Sequence, residues 1–243
     1  MTEPSATDAE HSGRRNRRSG VDSASQNGEG GAVTRIVLIR HGESQAHLDG
    51  IVAGHDNCSG LSDLGRRQAE ALRRRLAATR EVQADVLLTS ILPRAVETAE
   101  IVGPALGADL KPEQRCELCE LHAGESDGLT WEEYRARYPI DPQQAPTTPI
   151  APGAESIASF QERVHRALAA VVEEHEGRTV AVVCHGGVII SSFSFFLGLA
   201  PEQLGLQRIW VDNTAVTEWS RHNGTWRLMR NNDAAHLHDL EPA

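Results

Sequence analysis

Three short apolar runs decide most of what this chain can fold into. Ile36-Val37-Leu38-Ile39, Val86-Leu87-Leu88 and Val180-Ala181-Val182-Val183-Cys184 lack polar alternation and are rich in branched side chains. That is the pattern of strands buried on both faces. Helical patterns lie between and after them. Ser62 is placed to cap a helix to about Thr79, with Leu64, Ala69, Leu72 and Leu76 on its buried stripe. Ser156 precedes a second, through Phe160, Val164, Leu168 and Val172 to a stop at Gly177. A third, Gly187 to Leu197, is apolar nearly all round and belongs in the interior. Strands alternating with helices predict an α/β three-layer sandwich, a mainly parallel sheet with helices on both faces. Ala215–Trp219 and Trp226–Met229, flanking Asn223-Gly224, predict a closing hairpin. The stretch from Glu120 through Tyr138 to Pro152 is irregular and proline-rich, and is expected to form a cap.

Residues 1–32 are rich in Ser, Gly, Asn, Asp, Glu and Arg, without apolar periodicity. They are expected to be a disordered tail that cannot offset its ordering entropy, leaving residues 33–243 as one domain. The chain of 243 residues carries a net charge of −10, which argues against nucleic acid or an anionic membrane as partner. It has no run of membrane-spanning length and no apolar leader core, so a cytoplasmic location is expected. Cys58, Cys116, Cys119 and Cys184 then read as free thiols. Cys116-Glu117-Leu118-Cys119 has the spacing of half a metal site. No second such pair accompanies it, and it is read as incidental.

The strand ends carry the chemistry. Arg40-His41-Gly42-Glu43-Ser44 follows the first run, Ser90-Ile91-Leu92-Pro93-Arg94 the second, and His185-Gly186-Gly187 the third. All fall at the carboxyl edge of a parallel sheet, where open α/β folds put their ligands. Two guanidinium forks and two imidazoles suit a phosphoryl group, whose transfer needs positioning and charge neutralisation. Free N–H groups at the helix starting near Gly186 would add an anion site. No carboxylate cluster of the magnesium-binding kind is present in the sequence.

These motifs, in this order, with Leu118-Cys119-Glu120 between the second and third, resemble those of the histidine phosphatase superfamily, its phosphoglycerate mutase-like branch. The resemblance implies a phosphoglycerate mutase-like fold without metal or cofactor. It also implies a small-molecule phosphomonoester as partner, and His41 as the nucleophile that forms a phosphohistidine. Arg40, Arg94 and His185 would clamp the phosphoryl group, His185 as a charged imidazolium, with Gly186, Ser44 and His47 lining the site. Glu120 matches the position of the general acid, with Glu125 the alternative. The carboxyl-terminal Asn232-Asp233 and His236-Leu237 resemble a structural ending. His11, His122, His165, His175, His222 and His238 are read as surface residues. Relatives of this kind are often dimers, so a homodimer paired through the Trp210 to Trp226 region is admitted.

Three functions compete: a metal-independent phosphatase, a cofactor-dependent phosphoglycerate mutase, and a noncatalytic phospho-ligand binder. Mutases resemble one another in a longer, basic insertion before the second histidine. Here the loop Pro139–Glu155 holds Asp141 and no Arg or Lys, which favours the phosphatase. If Glu125 and Asp127 face the leaving group, its alcohol should be neutral or cationic. Ser126, where relatives often carry Trp, would leave room for a bulkier one.

Overall fold

The computed structural model describes residues 33–199, 209–238 and 240. The expectations for the tail, and for His11, lie outside them. Six strands form one sheet in the order β3-β2-β4-β1-β5-β6. β1 (Thr34–Arg40), β2 (Val86–Thr89), β3 (Glu113–Gln114) and β4 (Thr179–Cys184) run parallel. β5 (Val216–His222) and β6 (Thr225–Asp233) close the far side antiparallel. Their turn has positive φ at both Asn223 and Gly224, the backbone a two-residue hairpin requires.

Alternate residues of β1 go to opposite faces. Val37 and Ile39 join Ala181 and Val183 under α2 (Asp63–Thr79) and α3 (Pro93–Leu106). Ile36 and Leu38 join Val180 and Val182 under α5 (Ile157–Glu174) and α6 (Gly186–Leu197). The uninterrupted apolar runs are thus explained, and the three-layer α/β sandwich is the observed fold. Ser62 and Ser156 cap α2 and α5 through their hydroxyls. Leu64 is only half-buried on α2. Pro93 opens α3, where a missing N–H costs nothing. The irregular stretch supplies the short helix α4 (Trp131–Arg137), closed at its start by a reciprocal Thr130–Glu133 capping box. α1 (Gln45–Leu48) is a single turn capped by Ser44. No helix among the described residues is long and apolar enough to cross a membrane.

Candidate active site

β1 delivers Arg40 and His41 to the carboxyl edge, and the loop after it is fixed from several directions. The His41 amide donates to the Cys184 carbonyl at 3.0 Å, and its own carbonyl accepts from the Asn213 side chain at 3.1 Å. The Gly42 amide donates to Thr98 Oγ1 on α3 at 3.1 Å. Gly42 is required by crowding: a Cβ there would sit 2.5 Å from the Gly65 carbonyl oxygen in the first turn of α2. Gly65 is required in return, since its Cβ would fall 2.0 Å from the Glu43 carbonyl.

The His41 ring is oriented by its Nδ1, 2.6 Å from the Gly42 carbonyl oxygen. A carbonyl only accepts, so Nδ1 carries the proton and Nε2 keeps its lone pair. Arg94 Nε donates to that Nε2 at 3.2 Å. The Arg94 fork is steadied by the Ala53 carbonyl at 3.2 Å and Cys58 Sγ at 3.1 Å. Burial, then the Arg94 and Arg40 charges, hold the His41 pKa well below the ordinary imidazole value. The ring is therefore neutral and nucleophilic across the physiological range.

His185 lies against it, ring centroids 5.0 Å apart. Its Nε2 meets Ser90 Oγ at 2.8 Å. The expectation of a charged imidazolium is corrected here. His185 is fully buried between Arg94, His41 and Arg40, and burial followed by those charges keeps it neutral. The expectation of free N–H groups at the start of α6 is also corrected. The Gly187 amide donates to Glu120 Oε2 at 3.0 Å, so this helix end holds the acid. A Cβ at Gly187 would lie 2.2 Å from Glu120 Oε1, so only glycine admits the carboxylate. Gly186 opens α6 beside Arg40 Nε.

A cavity of about 600 Å³ opens over these groups. Arg40, His41, Ser44, His47, Arg94 and Glu120 line it, whereas His185 and Gly186 do not. The cap expected over the site contributes Trp131, Tyr134, Ile140, Pro142 and Ile150. Glu125 is exposed and outside the lining. Asp127 turns away, accepting from the Gly54 and Asp56 amides at 2.8 and 2.9 Å. Neither faces a leaving group, and the preference for a neutral or cationic alcohol loses its basis. Ser126 leaves no room either, being fully buried with its hydroxyl on the Ala123 carbonyl.

Sequence reasoning missed the roles of Ser90, Asn213, Gly65 and Gly187, although Ser90 and Gly187 stood within the strand-end motifs. His238 is exposed, and His122, His165, His175 and His222 are partly exposed. The carboxyl-terminal motif braces the site from behind. Asn232 Oδ1 accepts from the Asp212 amide at 2.6 Å, and His236 Nε2 meets Thr214 Oγ1 at 2.8 Å.

Residues 36–234 match the histidine phosphatase superfamily (branch 1). The chain is 30% identical to phosphoglycerate mutase-like protein 4 of Arabidopsis thaliana, over 84% of this chain and 87% of that one. It is 33% identical to a metal-independent phosphoserine phosphatase of the same plant, over 65% of this chain and 66% of that one. Among solved structures, a mycobacterial glucosyl-3-phosphoglycerate phosphatase superposes with a TM-score of 0.70 at 27% identity, covering 83% of this chain and 99% of that one. With its motif residues gathered at one sheet edge and a match spanning most of its length, the chain belongs to the histidine phosphatase superfamily.

Proposed function

We propose that the protein hydrolyses a phosphomonoester through a phosphohistidine at His41 Nε2, with no metal in the transfer step. The observation that carries this reading is the neutral His41, its Nδ1–H tied to the Gly42 carbonyl and its Nε2 presented to Arg94. Nε2 attacks phosphorus, the P–O bond to the alcohol breaks, and Glu120 protonates the departing oxygen. Water then attacks the phosphohistidine, Glu120 takes its proton, and phosphate leaves with His41 restored. Arg40 and Arg94 carry the charge of the phosphoryl oxygens through both steps. A buried donor supports such an occupant: Arg40 Nε has no hydrogen-bond partner among the described residues, an arrangement that costs about 1–3 kcal/mol unless an acceptor arrives.

Beyond the clamp the lining is mostly apolar: Ile51, Val52, Leu121, Trp131, Tyr134 and Ile150, with Arg135 the cation on the cap. This favours an alcohol portion with apolar surface, and it offers little to hold the second phosphoryl group of a mutase intermediate. The test is turnover of aryl and alkyl phosphates with EDTA added to the assay, with acid-labile, alkali-stable phosphate label trapped on the enzyme. His41→Ala should lose both turnover and label. A label that persists in His41→Ala would overturn the assignment. Isomerisation of 3-phosphoglycerate outrunning hydrolysis would favour the mutase.

A further inference from the structure

Away from the phosphoryl clamp, two cysteines and two histidines converge. His55, Cys116, Cys119 and His122 present one ligand atom each, all within 4.8 Å of one another. Cys116 Sγ is 3.6 Å from His55 Nε2 and 3.8 Å from His122 Nε2. A tetrahedral zinc site with ordinary bonds to sulfur and nitrogen has edges of roughly 3.4–3.8 Å. Two of the six donor–donor distances already stand at that spacing, and the others need to close by no more than about 1.4 Å. We propose that this cluster is a structural zinc site.

His55, Cys119 and His122 are held by neighbours outside the cluster, and Cys116 by the turn it shares with Cys119. The Asp127 carboxylate grips the amides of Gly54 and Asp56, the residues on either side of His55. Cys116 and Cys119 sit on one tight turn, the Cys119 amide donating to the Cys116 carbonyl at 2.9 Å. Arg163 donates to the Glu117 and Cys119 carbonyls at 2.8 and 3.1 Å, and Cys119 Sγ accepts from Ser90 Oγ at 3.2 Å. His122 points Nε2 at Cys116 while its Nδ1 lies 4.0 Å from Glu155, whose carboxylate also accepts the His122 amide. A carboxylate behind a ligating imidazole is a recurrent means of orienting it and raising its basicity.

Thiolate and imidazole donors in a four-fold set select zinc over magnesium or calcium. Four protein ligands also fill the tetrahedron, which makes the site structural and leaves no position for substrate. Its place explains what it would do. His55 belongs to the loop whose Ala53 carbonyl and Cys58 thiol steady Arg94. Cys119 is bonded directly to Glu120. One ion thus fixes the loop that aims a clamp arginine to the turn that carries the acid. The sequence pattern Cys116-x-x-Cys119-x-x-His122 was visible. His55, far upstream, is what makes it a set of four.

The test uses the reduced full-length protein titrated with Zn²⁺, and with Co²⁺ as a spectroscopic probe. Wild type should take up about one ion per chain. The cobalt form should show a thiolate-to-cobalt charge-transfer band and the strong visible bands of tetrahedral coordination. Cys116→Ala and His55→Gln alter side chains that are not fully buried, so both should fold by circular dichroism. Each should lose affinity by ~100-fold or more, beyond the effect of losing an outer-shell partner. His41→Ala should bind like wild type, which separates this result from the fate of the phosphohistidine. Uptake well below one ion per chain, absence of the charge-transfer band, or equal affinity in folded Cys116→Ala and His55→Gln would overturn the site. A closed site releases its ion slowly, so EDTA added during turnover leaves it in place.

Discussion

At the scale of single residues, the site depends on who is allowed to approach whom. Gly187→Ala should push Glu120 from its amide anchor. We expect kcat to fall by ~10²-fold or more with KM changed little, measured by steady-state kinetics on a folded protein. Arg94→Gln tests electrostatics as well as binding. Burial is the larger cause of the low His41 pKa, and Arg94 is the next. A pKa depressed in the fold keeps the ring neutral until pH falls through that value, so the acid limb of kcat/KM lies below the ordinary imidazole range. Removing Arg94 removes one depressing charge, and the limb should move up in pH as the rate falls ~10²-fold or more. An unmoved limb would separate Arg94 from nucleophile control. Arg40, His41, Arg94 and His185 were legible because strand ends and helix starts put them at one edge, whereas Glu120 was legible only through the family resemblance. Ser90 and Asn213 were not, since their work is to hold other side chains across the fold.

Among elements, the decisive contact is between the loop after β1 and the first turn of α2. Gly65→Ala should raise intrinsic helix stability by up to about 1 kcal/mol. The new methyl would meet the backbone oxygen of Glu43 at 2.0 Å, and backbone cannot step aside without moving Gly42 and His41. The overlap should win, lowering Tm and cutting activity at least tenfold, as followed by thermal denaturation and turnover. Helices α2, α5 and α6 and the closing hairpin were readable from periodicity, caps and the Asn223-Gly224 turn. The cap's effect on the cavity was not. Asp127 and Ser126 are used internally, and no spacing rule tells an acid that faces substrate from one that ties down a loop.

Across the whole molecule, charge and burial set a pH window. His236 is held down to about 4, chiefly by burial and next by Arg75, and His41 and His185 are also depressed. Their folded-state pKa values lie below the unfolded one. The stability they contribute is complete above about pH 6.5 and declines as pH falls towards the folded values. Urea midpoints measured from pH 7 to 4 should drop steadily, and His236→Gln should flatten part of that slope. Lower down, Asp233 is held at about 2, first by its hydrogen bond from Arg75. Its contribution should persist above the usual carboxylate pKa and disappear as pH falls through about 2. Arg75 and Arg230 both grip Asp233 and Glu81, and Arg230 and Arg35 both grip Glu218. α2, β1, β5 and β6 are thereby joined in one ionic lattice.

β1 bears on how the protein is made. It lies between β4 and β5, whose pairing with it begins at Thr179 and Val216. A ribosome delivers β1 well before either of these partners. Until residue 179 has been made, Ile36–Ile39 has neither neighbour in the sheet and both edges open. Open apolar edges invite strangers. Folding yield should therefore depend on how well the nascent chain is shielded during that interval. Pairings this distant in sequence are also slow to form, so catalytic competence should arrive only after β4 and β5 have been made.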